Sequence, residues 1–211
     1  MERTEIEINL PEDVQEIMAV IKGYGATSYV VGGCVRDSIL GREPHDWDIC
    51  TPALPGELLV EFEEKGYNVI PTGLQHGTIT VHLNGNNYEN TTFRRDGKYS
   101  DGRHPDTVEF TSDLIYDLER RDFTINAMAY NSEEGLVDSY CGYEDIQDKR
   151  IRCVGNPNDR FREDGLRILR ALRFSVQLGF KIELFTKHAM TDNRSLLNKI
   201  SFERINSEFV K

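Results

Sequence analysis

Residues 77–93, GTITVHLNGNNYENTTF, alternate apolar and polar side chains on both sides of Asn84-Gly85. Asn and Gly tolerate the positive φ that a two-residue type I′ turn demands, and a period of two turns one face of each strand to a core. The segment therefore predicts a β-hairpin, and with it an antiparallel part in whatever sheet the chain builds. Upstream, residues 10–23 read as an amphipathic helix, TSYVVGG as a short buried strand ending in paired glycines, and CVRDSILG as a short helix stopped by Gly41. DWDIC is the next strand, LPGELLVEFEEKG a helix, and YNVIPT a strand. Residues 94–107, RRDGKYSDGRHPDT, form a long polar loop whose composition makes a solvated, disordered segment the default. Residues 112–126 read as helix and 127–130 as strand. From about residue 140 helical patterns dominate, the longest being FREDGLRILRALRFSVQLG. The fold class expected is α+β: an N-terminal part with a small mixed or antiparallel sheet and flanking helices, over residues 1–139, then an all-helical part over 140–211.

Composition narrows the setting. With 211 residues, 38% hydrophobic and 29% charged, the chain is long enough to bury a core. It has no apolar run long enough to span a bilayer, and MERTEIEINL is too charged for a signal peptide, so no membrane partner and a cytoplasmic setting are expected. Cys34, Cys50, Cys141 and Cys153 show no C-x-x-C spacing and read as reduced thiols. His45, His76 and His104 lack zinc-ligand spacing. A net charge of −11 argues against a general nucleic-acid coat. The charge is uneven, however: DRFREDGLRILRALRF carries five arginines against three acids. The closing ISFERINSEFVK is amphipathic with no stop signal, so a further helical layer is expected beyond it.

Asp46 and Asp48 flank Trp47 in GREPHDWDICT. On a strand they share a face, with Trp47 and Ile49 directed to the core. Two adjacent carboxylates repel unless a cation lies between them, and oxygen ligands suit Mg²⁺ or Mn²⁺. Glu89, on the second hairpin strand, is placed to add a third carboxylate. The alternative is that the aspartates only cap or solvate the strand start. Just upstream, VVGGCVRD sets Gly32 and Gly33 between strand and helix with Arg36 one turn in. Such a turn lets main-chain N–H groups approach a phosphate, and Arg36 offers a guanidinium fork, although Arg36 and Asp37 could instead pair with each other.

VVGGCVRDSILGREPHDWDICT, YENTTFR, RRDFTINAMAY, VDSYCGYEDI and RFREDGLRILRALRF, in this order over residues 28–178, resemble the motifs of class II tRNA nucleotidyltransferases and bacterial poly(A) polymerases. Those families belong to the polymerase-β-like nucleotidyltransferases. The resemblance implies a catalytic head followed by a nucleotide-selecting neck, truncated before the family's body and tail. It implies that Arg121 contacts the nucleotide and that Asp122 and Asn126 support its pocket. It assigns base selection to Asp164 and Arg167, which three-residue spacing would place on one helix face, with Leu166, Leu169, Leu172 and Val176 as the apolar stripe. A surface salt bridge is the plainer reading of that pair. The chemistry of selection is nevertheless sound. Cytosine and adenine each present an amino donor beside a ring-nitrogen acceptor, which a carboxylate and a guanidinium match; uracil and guanine reverse the order. Arg170 and Arg173 continue at three-residue steps toward the triphosphate or ribose. Gly165 has no evident role within a helix. A flexible loop at 94–107 goes with competence to add A in the resembled family.

The expected activity is template-independent transfer of CMP and AMP from CTP and ATP to the 3′ end of tRNA, with two Mg²⁺ ions, or Mn²⁺ in their place, held by Asp46 and Asp48. Poly(A) addition is the nearest rival; the short GTITV strand follows PTGLQH without the extra basic element associated with that branch. A non-catalytic nucleotide- or RNA-binding module of the same fold is the other rival, and such a module should have lost a metal carboxylate. Oligomeric state is not legible.

Overall fold

The computed structural model describes residues 6–210. The chain divides into two compact units. The first takes Met1–Arg95, Glu109–Leu118 and Met128–Ser139; the second takes Asp96–Val108, Glu119–Ala127 and Tyr140–Lys211.

The first unit is a mixed sheet with helices. Its elements are α1 (Glu12–Tyr24), β1 (Tyr29–Val31), α2 (Gly33–Ile39), β2 (Ile49–Thr51), α3 (Pro55–Glu64), β3 (Asn68–Gly73), β4 (Thr78–Leu83) and β5 (Asn86–Thr92). A short two-stranded ladder, β6 (Arg94–Asp96) with β7 (Val108–Phe110), follows, then α4 (Leu114–Glu119), β8 (Ala129–Asn131) and β9 (Gly135–Val137). The sheet order is β3-β4-β5-β2-β1-β8-β9. Every neighbouring pair is antiparallel except β2 with β5. The hairpin signal is realised: Leu83 pairs with Asn86, and Asn84 and Gly85 have φ of 49° and 84°. α1 buries Val14, Ile17 and Ile21, one helical face, and stops at Gly25 (φ 97°). There the Gly25 and Ala26 N–H groups return to Lys22 and Ile21 carbonyls, a Schellman stop. Together with Val30, Ile49, Leu58, Phe62, Ile79 and Val81 these residues form the core that the sheet rests on.

The second unit contains α5 (Gly142–Gln147), β10 (Arg150–Ile151), α6 (Pro157–Glu163), α7 (Leu166–Leu178), β11 (Lys181–Ile182), α8 (Leu184–Asp192) and α9 (Phe202–Phe209), with 3-10 turns at Thr124–Asn126 and Arg194–Lys199. Its core gathers Phe123, Ile151, Val154, Phe161, Ile168, Ala171 and Phe174; the Phe123 and Phe174 rings meet edge to face at 5.9 Å.

Four sequence expectations need correction. The region after 140 is not purely helical, because β10 and β11 form a parallel ladder with Ile151 opposite Ile182. The helix expected over 112–126 ends with α4, since Asp122 turns its carboxylate back onto the Phe123 N–H (2.8 Å) and Phe123 bridges to Cys153. The long arginine helix breaks at Asp164–Gly165. Its buried stripe is Leu166, Ile168, Ala171 and Phe174, whereas Leu172 and Val176 are exposed. No helix among the described residues is long and apolar enough to cross a membrane.

Candidate active site

In the first unit the chain leaves β1 through Gly32, whose φ of 87° and ψ of −126° suit glycine and no residue with a side chain. Its N–H donates to the Met128 carbonyl at 3.1 Å. Arg36, one turn into α2, is buried. Its Nε and Nη2 donate to the two Asp37 carboxylate oxygens at 2.9 and 2.8 Å, so the Arg36–Asp37 pair is formed. A Cβ added at Gly33 would lie 3.7 Å from Arg36 Nη2, which places the guanidinium beside the glycine turn.

Asp46 and Asp48 lie in the extended segment leading into β2, which itself begins at Ile49. The alternation nevertheless holds, with Trp47 and Ile49 buried and both aspartates exposed. The Asp48 carbonyl accepts the Val31 N–H at 3.0 Å, fixing that segment against the end of β1. In the parallel register Ile49 faces Asn90, so one residue earlier Asp48 stands beside Glu89, itself exposed between buried Tyr88 and Asn90. The three carboxylates share one face, but no three Asp, Glu, His or Cys side chains among the described residues converge closely enough to hold a metal ion by themselves. Beneath Asp48 lies Cys34, whose thiol is pushed up to about 11 by burial and by the neighbouring aspartate. The sequence gave no sign of that contact.

In the second unit the centre is Asp122. Its Oδ1 accepts the Phe123 N–H and Asn126 Nδ2 (3.1 Å); its Oδ2 accepts Arg170 Nε at 2.8 Å and Nη2 at 2.6 Å. Burial disfavours its charge, yet the Arg170 and Arg167 guanidiniums and the Asn126 amide outweigh burial and bring it down to about 2. Arg121, next in the chain, is half-buried. Arg170 and Arg173 both meet the buried Glu208 of α9, at 3.6 and 2.8 Å, and Arg173 stacks on Phe174.

Asp164 and Arg167 do not share a helix face. Asp164 lies in the break, where Oδ1 caps the Leu166 N–H at 3.0 Å and Oδ2 pairs with Arg204 Nη2 at 2.8 Å. Arg167 Nη1 donates to Glu163 (2.6 Å) and to the Arg160 carbonyl, and Nη2 to the Arg120 carbonyl at 3.1 Å. Gly165 now has its account: a Cβ there would sit 2.9 Å from the Leu196 Cβ. The loop is ordered, contrary to the default. Gly97 N–H reaches the Thr107 carbonyl, Asp106 N–H the Lys98 carbonyl, and the Tyr99 hydroxyl donates to Asp96 at 2.7 Å. Sequence reasoning missed Glu163, Arg204 and Glu208. Only Glu163 left a signal, its four-residue spacing from Arg167.

Residues 28–152 match the model of the poly(A) polymerase head domain, which is more than half of the chain. The chain belongs to the poly(A) polymerase head-domain family. Its residues 179–211 also match a family described as the probable RNA- and SrmB-binding site of polymerase A. The CCA-adding enzyme of Lactobacillus delbrueckii subsp. bulgaricus is 47% identical over 195 residues, covering 92% of this chain and 48% of that protein. The CCA-adding enzyme of Limosilactobacillus reuteri is 44% identical over 200 residues, covering 95% and 49%. Among solved structures, the Bacillus stearothermophilus CCA-adding enzyme in complex with CTP superposes with a TM-score of 0.84 at 40% identity, over 95% of this chain and 48% of that one. A tRNA nucleotidyltransferase complexed with a primer tRNA and an incoming ATP analogue gives 0.76 at 36% identity, over 92% and 54%. The chain thus spans about half the length of the relatives it matches. Within the head-domain match lie Gly32, Gly33, Arg36, Asp46, Asp48, Glu89, Arg121, Asp122 and Asn126; Asp164 and Arg167 lie between the two matched stretches.

Proposed function

We propose that this chain carries the catalytic and nucleotide-selecting parts of a tRNA nucleotidyltransferase that adds CMP and AMP, from CTP and ATP, to the tRNA 3′ end without a template. The observation that carries the reading is the placement of Asp46, Asp48 and Glu89 on one exposed face beside the Gly32 turn. Similarity to CCA-adding enzymes over nine-tenths of the chain supports it.

The donor set fits the expected metal. Exposed carboxylate oxygens suit hard Mg²⁺, which keeps waters and substrate phosphates as its other ligands and so needs only one or two carboxylates. Asp46 and Asp48 would hold it, with Glu89 alongside. When bound, two Mg²⁺ ions, or Mn²⁺ in their place, supply acidification of the RNA 3′-hydroxyl and charge neutralisation of the triphosphate. The 3′ oxygen bonds to the α-phosphorus, the bond to the bridging oxygen breaks, and pyrophosphate leaves with the electron pair.

The chain's own residues bind and choose. Gly32 and Gly33 leave room for phosphate, and Arg36, clamped by Asp37, presents a fixed positive charge there. Arg121 contacts the nucleotide. Asp122, held by Arg170 and Asn126, fixes the turn next to it. Asp164 and Arg167 keep capacity to read a base despite their partners. Each Asp164 oxygen retains a lone pair after its present hydrogen bond. Arg167 retains Nε–H and one Nη2–H after three of its five N–H groups are taken. An amino group and a ring nitrogen match those atoms; uracil and guanine oppose them.

The test is incubation with tRNA transcripts ending before CCA, after C, after CC and mature, each with single NTPs and Mg²⁺. C is added twice, then A once, with U and G refused. Long A tails on unrelated RNA would establish the poly(A) reading instead. CTP binding with no incorporation on any transcript would leave a non-catalytic module.

A further inference from the structure

A second, cationic cleft of about 230 Å³ lies within the second unit, apart from Asp122. The loop tip, the α6–α7 break and the entry to α9 line it. Its floor is fixed by two contacts already described: Gly165 against Leu196, and Arg204 on Asp164. Arg103 and Lys199 are exposed at its mouth, and neither has a carboxylate partner among the described residues. The one carboxylate in its lining, Asp101, is already engaged. It accepts the Arg103 and His104 N–H groups at 2.7 Å each and pairs with His104 Nδ1 at 2.8 Å. Those bonds, with the His104 main chain foremost, hold Asp101 down at about 2. In a chain of net charge −11, two uncompensated cations facing one cleft make a local exception.

We propose that this cleft seats a phosphodiester of the RNA strand, held by Arg103 and Lys199. The proposal rests on the tRNA nucleotidyltransferase reading and assigns to it a contact away from the chemistry. The space suits one phosphate group and not a whole nucleoside triphosphate. No Phe, Tyr or Trp lines it to stack a base. Lys199, Ser201 and Arg204 fall within residues 179–211, the stretch matched by the RNA-binding family. The Ser201 oxygen accepts the Arg204 N–H, which leaves its O–H to donate to a phosphate oxygen. Contacts of this kind position an RNA without reading its sequence.

The test uses the full chain and a 5′-fluorescein tRNA transcript ending before CCA, with anisotropy titrations from 50 to 200 mM KCl. In the double variant Arg103→Ala/Lys199→Ala, RNA affinity falls about tenfold, and the slope of log affinity against log salt becomes shallower by about 1.5, roughly one per lost phosphate contact. Arg103→Glu/Lys199→Glu weakens binding further. CTP affinity, measured by equilibrium dialysis, stays within about twofold, and the melting temperature is unchanged, as expected for exposed side chains. Wild-type RNA affinity and slope in both variants would overturn the proposal while leaving the enzymatic reading intact. Weakened CTP binding with unchanged RNA binding would overturn it too, by assigning the cleft to the triphosphate. If the wild-type chain binds no RNA, the enzymatic reading fails and the cleft assignment fails with it.

Discussion

Replacing Asp122 with Asn tests the arrangement around the 3-10 turn most sharply. The carboxylate is buried and faces two Arg170 nitrogens within 2.8 Å. The difference between its ordinary value of 3.8 and the value of about 2 in the folded chain corresponds to roughly 2.5 kcal/mol, at ~1.36 kcal/mol per pH unit. The sign follows from a folded value below the unfolded one. The stabilisation is complete above 3.8 and is lost as pH falls through about 2. Asn keeps the shape and one acceptor but leaves Arg170 with only Glu208, 3.6 Å away, as a described carboxylate neighbour. Removing one partner of a buried pair costs about 3–5 kcal/mol, so a loss of about 3 kcal/mol is expected. Urea unfolding followed by circular dichroism measures it. The gap between wild type and Asp122→Asn should be flat from pH 7 to about 4 and narrow below that. In a double-mutant cycle with Arg170→Gln, the pair should show coupling of about 2 kcal/mol. A loss below about 1 kcal/mol, a gap that does not narrow in acid, or additive single effects would refute the reasoning.

Other perturbations have equally defined outcomes. Gly165→Ala should destabilise by about 1–3 kcal/mol in the same unfolding assay, because its Cβ would meet Leu196 at 2.9 Å; a neutral result would mean that Leu196 gives way freely. Thiol titration of the native chain should find one fast-reacting cysteine, the exposed Cys141, and four after denaturation, since Cys34, Cys50 and Cys153 are buried; two or more fast thiols would contradict the packing. Arg167→Ala should relax refusal of UTP and GTP by at least tenfold in single-nucleotide incorporation; unchanged discrimination would reduce Arg167 to a partner of Glu163.

Local signals carried most of the first unit. Asn84-Gly85 fixed a turn that needs no distant contact to be recognised. Trp47 and Ile49 announced their faces by alternation alone, so the common face of Asp46 and Asp48 was legible although the strand begins only after them. The second unit was less legible because its decisive partners are remote in sequence. Gly165 is explained by Leu196, and the stop after α4 by the bridge from Phe123 to Cys153. Helical periodicity ran straight through Asp164 because Asp and Gly weaken a helix without excluding it; the side chain of Asp164, capping Leu166, decides the break. Arg170 and Arg173 had the right spacing for a helix face, but Glu208, their common partner on α9, could not be inferred from that spacing. The loop at 94–107 has the composition of a disordered segment, yet cross-loop main-chain bonds and the Tyr99–Asp96 contact order it.

The central claim is that Asp46 and Asp48 bind a divalent ion together with nucleotide. Electron paramagnetic resonance of Mn²⁺ titrated into the chain with CTP reads this directly. The account predicts bound Mn²⁺ for the wild type and at least tenfold weaker binding for Asp48→Asn, with the fold unchanged by circular dichroism. Equal Mn²⁺ binding by the two proteins would contradict it.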